Sequence, residues 1–130
     1  MDATPITAIY AAIFALIYVA LSFNVIRLRR QLNVGLLDGG ESSLARAIRA
    51  HGNFQEYVPL VLILMLITEL NVYATVRIHA TGMTLLLGRL LHGYALAVTT
   101  ASPPARVLGM VLTFSAVIGS ATNLLLLGLG

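Results

Sequence analysis

The sequence contains no cysteine. That excludes a disulfide framework, a thiolate metal site and a cysteine nucleophile. Lysine is missing too, so all 8 basic side chains are arginine, set against 5 acids. Arginine keeps its charge when partly buried and forks bidentately onto carboxylates. Charge is scarce altogether, at 10% of 130 residues, where a soluble domain carries about 25%. P-loop, GxGxxG, HExxH and GxSxG motifs are absent. Three dispersed histidines without convergent carboxylates make no metal site. Nucleic-acid binding finds no support, because the arginines sit inside or beside apolar runs and form no basic tail.

What is present is apolar. Hydrophobic residues make up 58% of the chain and the mean hydropathy is +0.91, which points to lipid as the main solvent. The length fits one domain. Residues 5–26 form an apolar run that ends in Arg27, Arg29 and Arg30. Roughly 20 residues cross a bilayer core, so this is a transmembrane helix with a basic stop. It is too long for a signal-peptide core and no A-x-A-like site follows it, so it reads as a retained span. Residues 31–43 read as a loop, with Ser42 or Ser43 as the helix cap beyond it.

The spans expected are about 5–29, 44–70, 78–98 and 105–129: an all-α membrane protein, a single four-helix bundle. The second is unusual. Its later half is apolar, but its earlier half carries Arg46, Arg49, His51, Asn53, Gln55 and Glu56. The apolar half alone, at ~1.5 Å per residue, cannot cover ~30 Å of hydrocarbon. The polar half therefore covers part of the depth while facing protein or water, and Pro59 marks a kink or a re-satisfied carbonyl. The third span is interrupted by Arg89, His92 and Tyr94, and residues 99–104 form a turn before Arg106 and the fourth span. There, Ser115 with Gly119 and Ala116 with Ser120 are small-residue pairs suited to close helix approach. The arginine distribution puts both termini outside and both basic connections, with the polar layer, on the cytoplasmic side.

Intramembrane ionisable groups usually face a bundle interior or cavity. At about 100° per residue, Arg46, Arg49, Asn53 and Glu56 fall on one stripe with Tyr57 at its edge, and His51 points the opposite way. Arg89 and His92 share a face. One alternative is that Arg49–Glu56 or Arg89–Glu56 are ion pairs that only fix packing. Against it, charge does not balance in this layer: Arg27, Arg49, Arg89 and Arg106 face Glu56 as its one helical acid, and an excess of buried cation invites an anionic ligand. Glu69, Arg77 and His79 read as solvated ends, Tyr10, Tyr18 and Tyr73 as packing or interfacial anchors, and Arg29 and Arg30 as lipid-headgroup contacts.

The run Arg46, Arg49, His51, Asn53, Glu56, Tyr57 and Pro59 matches without a gap the pattern R-x-x-R-A-Q/H-x-N-x-x-E-aromatic-x-Pro. It resembles the signature of the MAPEG family, the membrane-associated proteins of eicosanoid and glutathione metabolism. The end of the first span around Arg27 is similar to the family's first helix. Arg89-x-x-His92 is similar to the third-helix motif of its prostaglandin-E synthase branch. The resemblance implies a homotrimer that binds glutathione between neighbouring subunits. It implies that Arg49, Asn53, Glu56, Tyr57, His92 and Tyr94 hold glutathione, that Arg27 and His51 reach the adjacent subunit's pocket, and that Arg106 activates the thiol. The chain departs from the pattern at Leu96, where the family commonly has tyrosine, and in the spacing before Arg106. The activity implied is transferase or peroxidase chemistry on a lipophilic electrophile in a bilayer, the inner membrane in a bacterium. The alternative is a non-catalytic membrane scaffold or binding protein that keeps the pocket. A small multidrug transporter is disfavoured, since such proteins carry an acid in the first span and none occurs here within residues 5–26.

Overall fold

A computed structural model describes residues 5–71, 75–97 and 103–129. It contains four helices, α1 (Ile6–Leu32), α2 (Ser42–Asn71), α3 (Thr75–Ala97) and α4 (Pro103–Leu129). By length and composition α1, α2 and α4 can each cross a membrane. α3 is shorter, at 23 residues, and turns its strongest polar groups, Arg89 and His92, inward. Tyr73 and residues 99–102 of the expected turn lie outside the described residues.

The helices pack because each has an inward face at helical spacing. On α2 that face is Ala47, Ala50, Phe54, Val58, Val61, Met65 and Thr68, all buried, in steps of three and four residues. Phe14 of α1 meets Phe54 edge to face at 5.9 Å between centroids. The core continues through Leu85 and Ala116. The closest approach joins α3 to α4. A Cβ added to Gly109 would lie 2.8 Å from both the Gly88 carbonyl oxygen and the His92 amide nitrogen. The two backbones touch there because neither glycine carries a side chain. Of the pairs expected to serve this purpose, Ala116 and Ser120 do face inward. Ser115 is exposed, and Gly119 has open space where a Cβ would stand.

Several boundaries and end residues differ from expectation. α1 runs on to Leu32 and stops where Asn33 turns left-handed at φ 54°. α2 begins at Ser42, with the Ala45 amide donating to the Glu41 carbonyl, so Ser42 lies inside the first turn. α2 continues through Pro59 as one helix. α4 starts at Pro103, in keeping with proline's fitness for a helix's first turn. Glu69 is not a solvated end. It is 7% exposed, and its carboxylate accepts the Ile6 amide and, at 2.9 Å, the Thr7 amide. The reason is that the first amides of α1 have no intrahelical acceptor, and a carboxylate at a helix N-terminus satisfies both their hydrogen bonds and the dipole. Nearby, the Tyr10 hydroxyl lies 3.0 Å from Nδ1 of His79, and Arg77 donates to Asn123 at 2.6 Å. Tyr10 and Tyr18 are packing residues as expected, Tyr10 buried against Gly82 and Tyr18 stacked on Phe54.

Glu69→Gln keeps one acceptor but removes the charge. It is expected to cost about 0.5–2 kcal/mol, the usual range for a lost helix cap. Thermal melting in detergent should show the drop while ligand binding at the far end of the bundle stays unchanged.

Candidate functional site

The polar stripe of α2 turns toward the ends of α3 and α4 that carry the remaining cations. Between them is a cavity of about 380 Å³ lined by Ala45, Arg46, Arg49, Asn53, His92, Leu96 and Arg106. Among the described residues three arginines line it and no acid does. Asn53, His92 and Arg106 also border an apolar groove of about 390 Å³ that continues along α4 past Val107, Met110, Val111 and Phe114. The two volumes meet at Arg106, so a cationic chamber opens into an apolar one. A second cleft, of about 340 Å³ between α1 and α2 around Phe14 and Val58, is lined mostly by apolar side chains, with Tyr18 and Gln55 as its polar members.

Three of the wall residues, Arg49, Asn53 and His92, are held by contacts of their own. Asn53 anchors its amide to the Arg49 carbonyl one turn back at 3.0 Å. Arg49 Nη1 stands 3.9 Å from the Glu56 carboxylate. Both side chains are more than half exposed, so this pair contributes little stability and leaves both groups free for a ligand. Behind the wall lies Arg89, 4% exposed. It donates to Thr113 Oγ1 at 2.6 Å and to the Asn53 carbonyl at 3.4 Å, and it lies 5.7 Å from the Tyr57 ring centroid. Tyr57 in turn meets Phe114 edge to face. Arg89 thus ties the stripe of α2 to α4 through the neutral Asn53 carbonyl and Thr113 hydroxyl. His92, 5% exposed, is held where Gly109 lets α4 touch its backbone.

Of the residues singled out from sequence, Arg49, Asn53, His92 and Arg106 line one cavity; Glu56 is outside the lining but paired with Arg49, and Tyr57 is outside it against Arg89. Arg27 and His51 lie elsewhere. His51 stacks on Tyr18 at 4.7 Å, with Nε2 3.0 Å from Ser22 Oγ. Arg27 donates to Asn24 on the α1 surface. Tyr94 is 56% exposed and not part of the lining, whereas Leu96 is. Sequence reasoning did not single out Arg46 and Leu96 as lining residues. Arg46 was on the stripe already, and its place three residues before Arg49 was the available signal.

This is the site of a helical membrane bundle whose polar chamber is built into one end. The chain belongs to the MAPEG family, whose model matches residues 7–126. It is 47% identical over 89 residues, 68% of each chain, to Inner membrane protein YecN of Escherichia coli strain K12. The same figures hold for the protein of that name from E. coli O6:H1 strain CFT073. The chain is an integral membrane protein, and the family contains glutathione-dependent enzymes.

Proposed function

We propose that this protein binds glutathione in the arginine-lined cavity and presents its thiol to lipophilic electrophiles as a transferase or peroxidase. The observation that carries this is the cavity's charge: Arg46, Arg49 and Arg106 with no lining acid. Glutathione brings two carboxylates, an ammonium and a thiol. Arginines suit the carboxylates through bidentate, charge-assisted bonds, and Glu56 suits the ammonium. Asn53, Tyr57 and His92 add the neutral hydrogen-bonding groups that orient a small polar ligand. Arg106, where the polar chamber meets the apolar groove, is the cation nearest the proposed sulfur and favours thiolate over thiol. An electrophile dissolved in lipid would reach it along Val107, Met110, Val111 and Phe114.

Arg27 and His51 lie across α2 from the cavity of their own subunit. In this reading they complete the cavity of a neighbouring copy, in a homotrimer with the basic ends toward the cytoplasm. Leu96 favours a second reading. It puts an apolar side chain where the family commonly has a phenol, so binding without turnover is the competing outcome. A generic chloro-dinitrobenzene substrate and a lipid hydroperoxide separate the two.

Isothermal titration in detergent is expected to show glutathione binding that Arg49→Ala and Glu56→Ala each weaken about tenfold or more, as for a lost charge-assisted hydrogen bond. Unchanged affinity in both variants would overturn the assignment.

A further inference from the structure

The connection between α1 and α2 has no regular structure, yet its shape is fixed. Arg29 Nη1 donates to the Leu37 carbonyl at 2.8 Å and the Val34 carbonyl at 3.4 Å. The Val34 amide returns a bond to the Arg29 carbonyl. Further on, the Gly40 amide donates to the Asp38 carboxylate at 3.0 Å, so that acid is turned into its own loop. Leu37 is held at φ 55°, a left-handed conformation that costs a bulky L-residue energy. The outcome of this bonding and strain is that Leu36 and Leu37 stand outward, 80% and 74% exposed. A soluble surface gains nothing from two outward leucines, one of them pinned and strained. A surface at the headgroup boundary gains apolar contact.

Beside the loop, Arg29, Arg30, Asn33, Val34 and Gly35 border a shallow hollow. From Arg30, steps of four and three residues lead back to Ile26, Phe23, Val19 and Leu16, which are 45%, 64%, 48% and 74% exposed. These form one apolar stripe on α1 with a guanidinium at its head. From Leu16 to Ile26 the rise is about 15 Å, half of the ~30 Å hydrocarbon core and so the depth of one leaflet.

We propose that this end of α1 and the 33–41 loop form a site for one anionic phospholipid. Its phosphate sits at Arg30 and Asn33, an acyl chain lies along Ile26, Phe23, Val19 and Leu16, and Leu36 and Leu37 dip into the acyl boundary beside it. Charge selects the occupant: the hollow is lined by two guanidinium groups, and the Asp38 carboxylate of the loop is committed to Gly40. The site does not depend on what the arginine-lined cavity binds.

Native mass spectrometry of the full chain in detergent, titrated with phosphatidylglycerol and phosphatidylcholine, tests the headgroup. Phosphatidylglycerol should be favoured about fivefold, the preference one arginine near an anionic surface supplies. Arg30→Gln should bring the two lipids to parity, while Arg77→Gln at the other end leaves the preference intact. Leu36→Trp in vesicles with brominated acyl chains should be strongly quenched. Parity in the unaltered protein, or an unquenched Trp, would sink the proposal. So would displacement of the lipid by excess inorganic phosphate, which would mean a free-anion site. Efficient disulfide crosslinking through Phe23→Cys in the same vesicles would also overturn it, because a second copy would then cover the stripe.

Discussion

Arg106→Ala is expected to leave glutathione bound but to remove its thiolate. Arg106 is the cation shared by the polar cavity and the apolar groove, the position where the proposed reading brings sulfur to an electrophile. Arg46 and Arg49 remain in the variant to hold the carboxylates, so affinity should fall only modestly. A free thiol titrates near ~8.5, and an adjacent guanidinium stabilises the anion, which lowers that value. The bound thiol should therefore ionise below ~8.5 in the unaltered protein and return toward it in the variant. Loss of one preorganised group facing a developing or resident anion slows turnover on the order of 10²–10³-fold. The deficit should be largest near neutral pH and shrink as pH rises through the free-thiol value, because base then supplies the thiolate that Arg106 no longer does. Thiolate absorbance of the complex and the pH profile of conjugation are the measurements. A retained thiolate signal would make Arg106 a boundary arginine and pass the role to His92 or to no side chain.

Gly109→Ala is expected to destabilise the bundle by about 3 kcal/mol, the upper end of the usual overpacking range. The added methyl meets backbone on two sides, at the Gly88 carbonyl and the His92 amide, and backbone cannot rotate away as a side chain can. The helices must separate, and the displacement is delivered directly to His92 on the cavity wall. Glutathione affinity should therefore fall together with the melting temperature. Gly119→Ala is the matched control on the same helix. Its new methyl enters open space, and replacing a mid-helix glycine is expected to be neutral or to stabilise by up to about 1 kcal/mol. Equal melting temperatures for the two variants would show that the Gly88–Gly109 contact does not hold α3 to α4.

The helices were legible because lipid demands long apolar runs, and those runs have little competing meaning. The cavity was legible in part for a related reason. A charged stripe on a buried helix has few places to face, so Arg46, Arg49 and Asn53 could be assigned to one side by angle alone, with His51 on the other. What could not be read was any pairing between distant segments. Glu69 looks like a span-end acid in sequence, and its use as the cap of α1 depends on a neighbour 63 residues earlier. Arg89 was legible as buried, but the Thr113 hydroxyl that satisfies it is one of several hydroxyls on α4. The glycine contact was hidden by abundance. Eleven glycines occur, and spacing drew attention to Gly119, where a Cβ would meet open space, over Gly109, where it would meet the α3 backbone at both Gly88 and His92. Leu96 and Tyr94 swap expectations because a two-residue step on a helix turns the side chain by ~200°, from the wall to the outside.

The Glu69 cap also sets an order of events during synthesis. The leading amides of α1 wait for an acceptor that lies 63 residues further along the chain. At about 5–20 residues per second, a ribosome takes roughly 3–13 s to supply it. Until then the first span carries unsatisfied donors at its tip, where water or headgroups must serve in place of the carboxylate. α1 is therefore a provisional insertion, and it becomes a settled one when the far end of α2 arrives beside it and locks the hairpin shut.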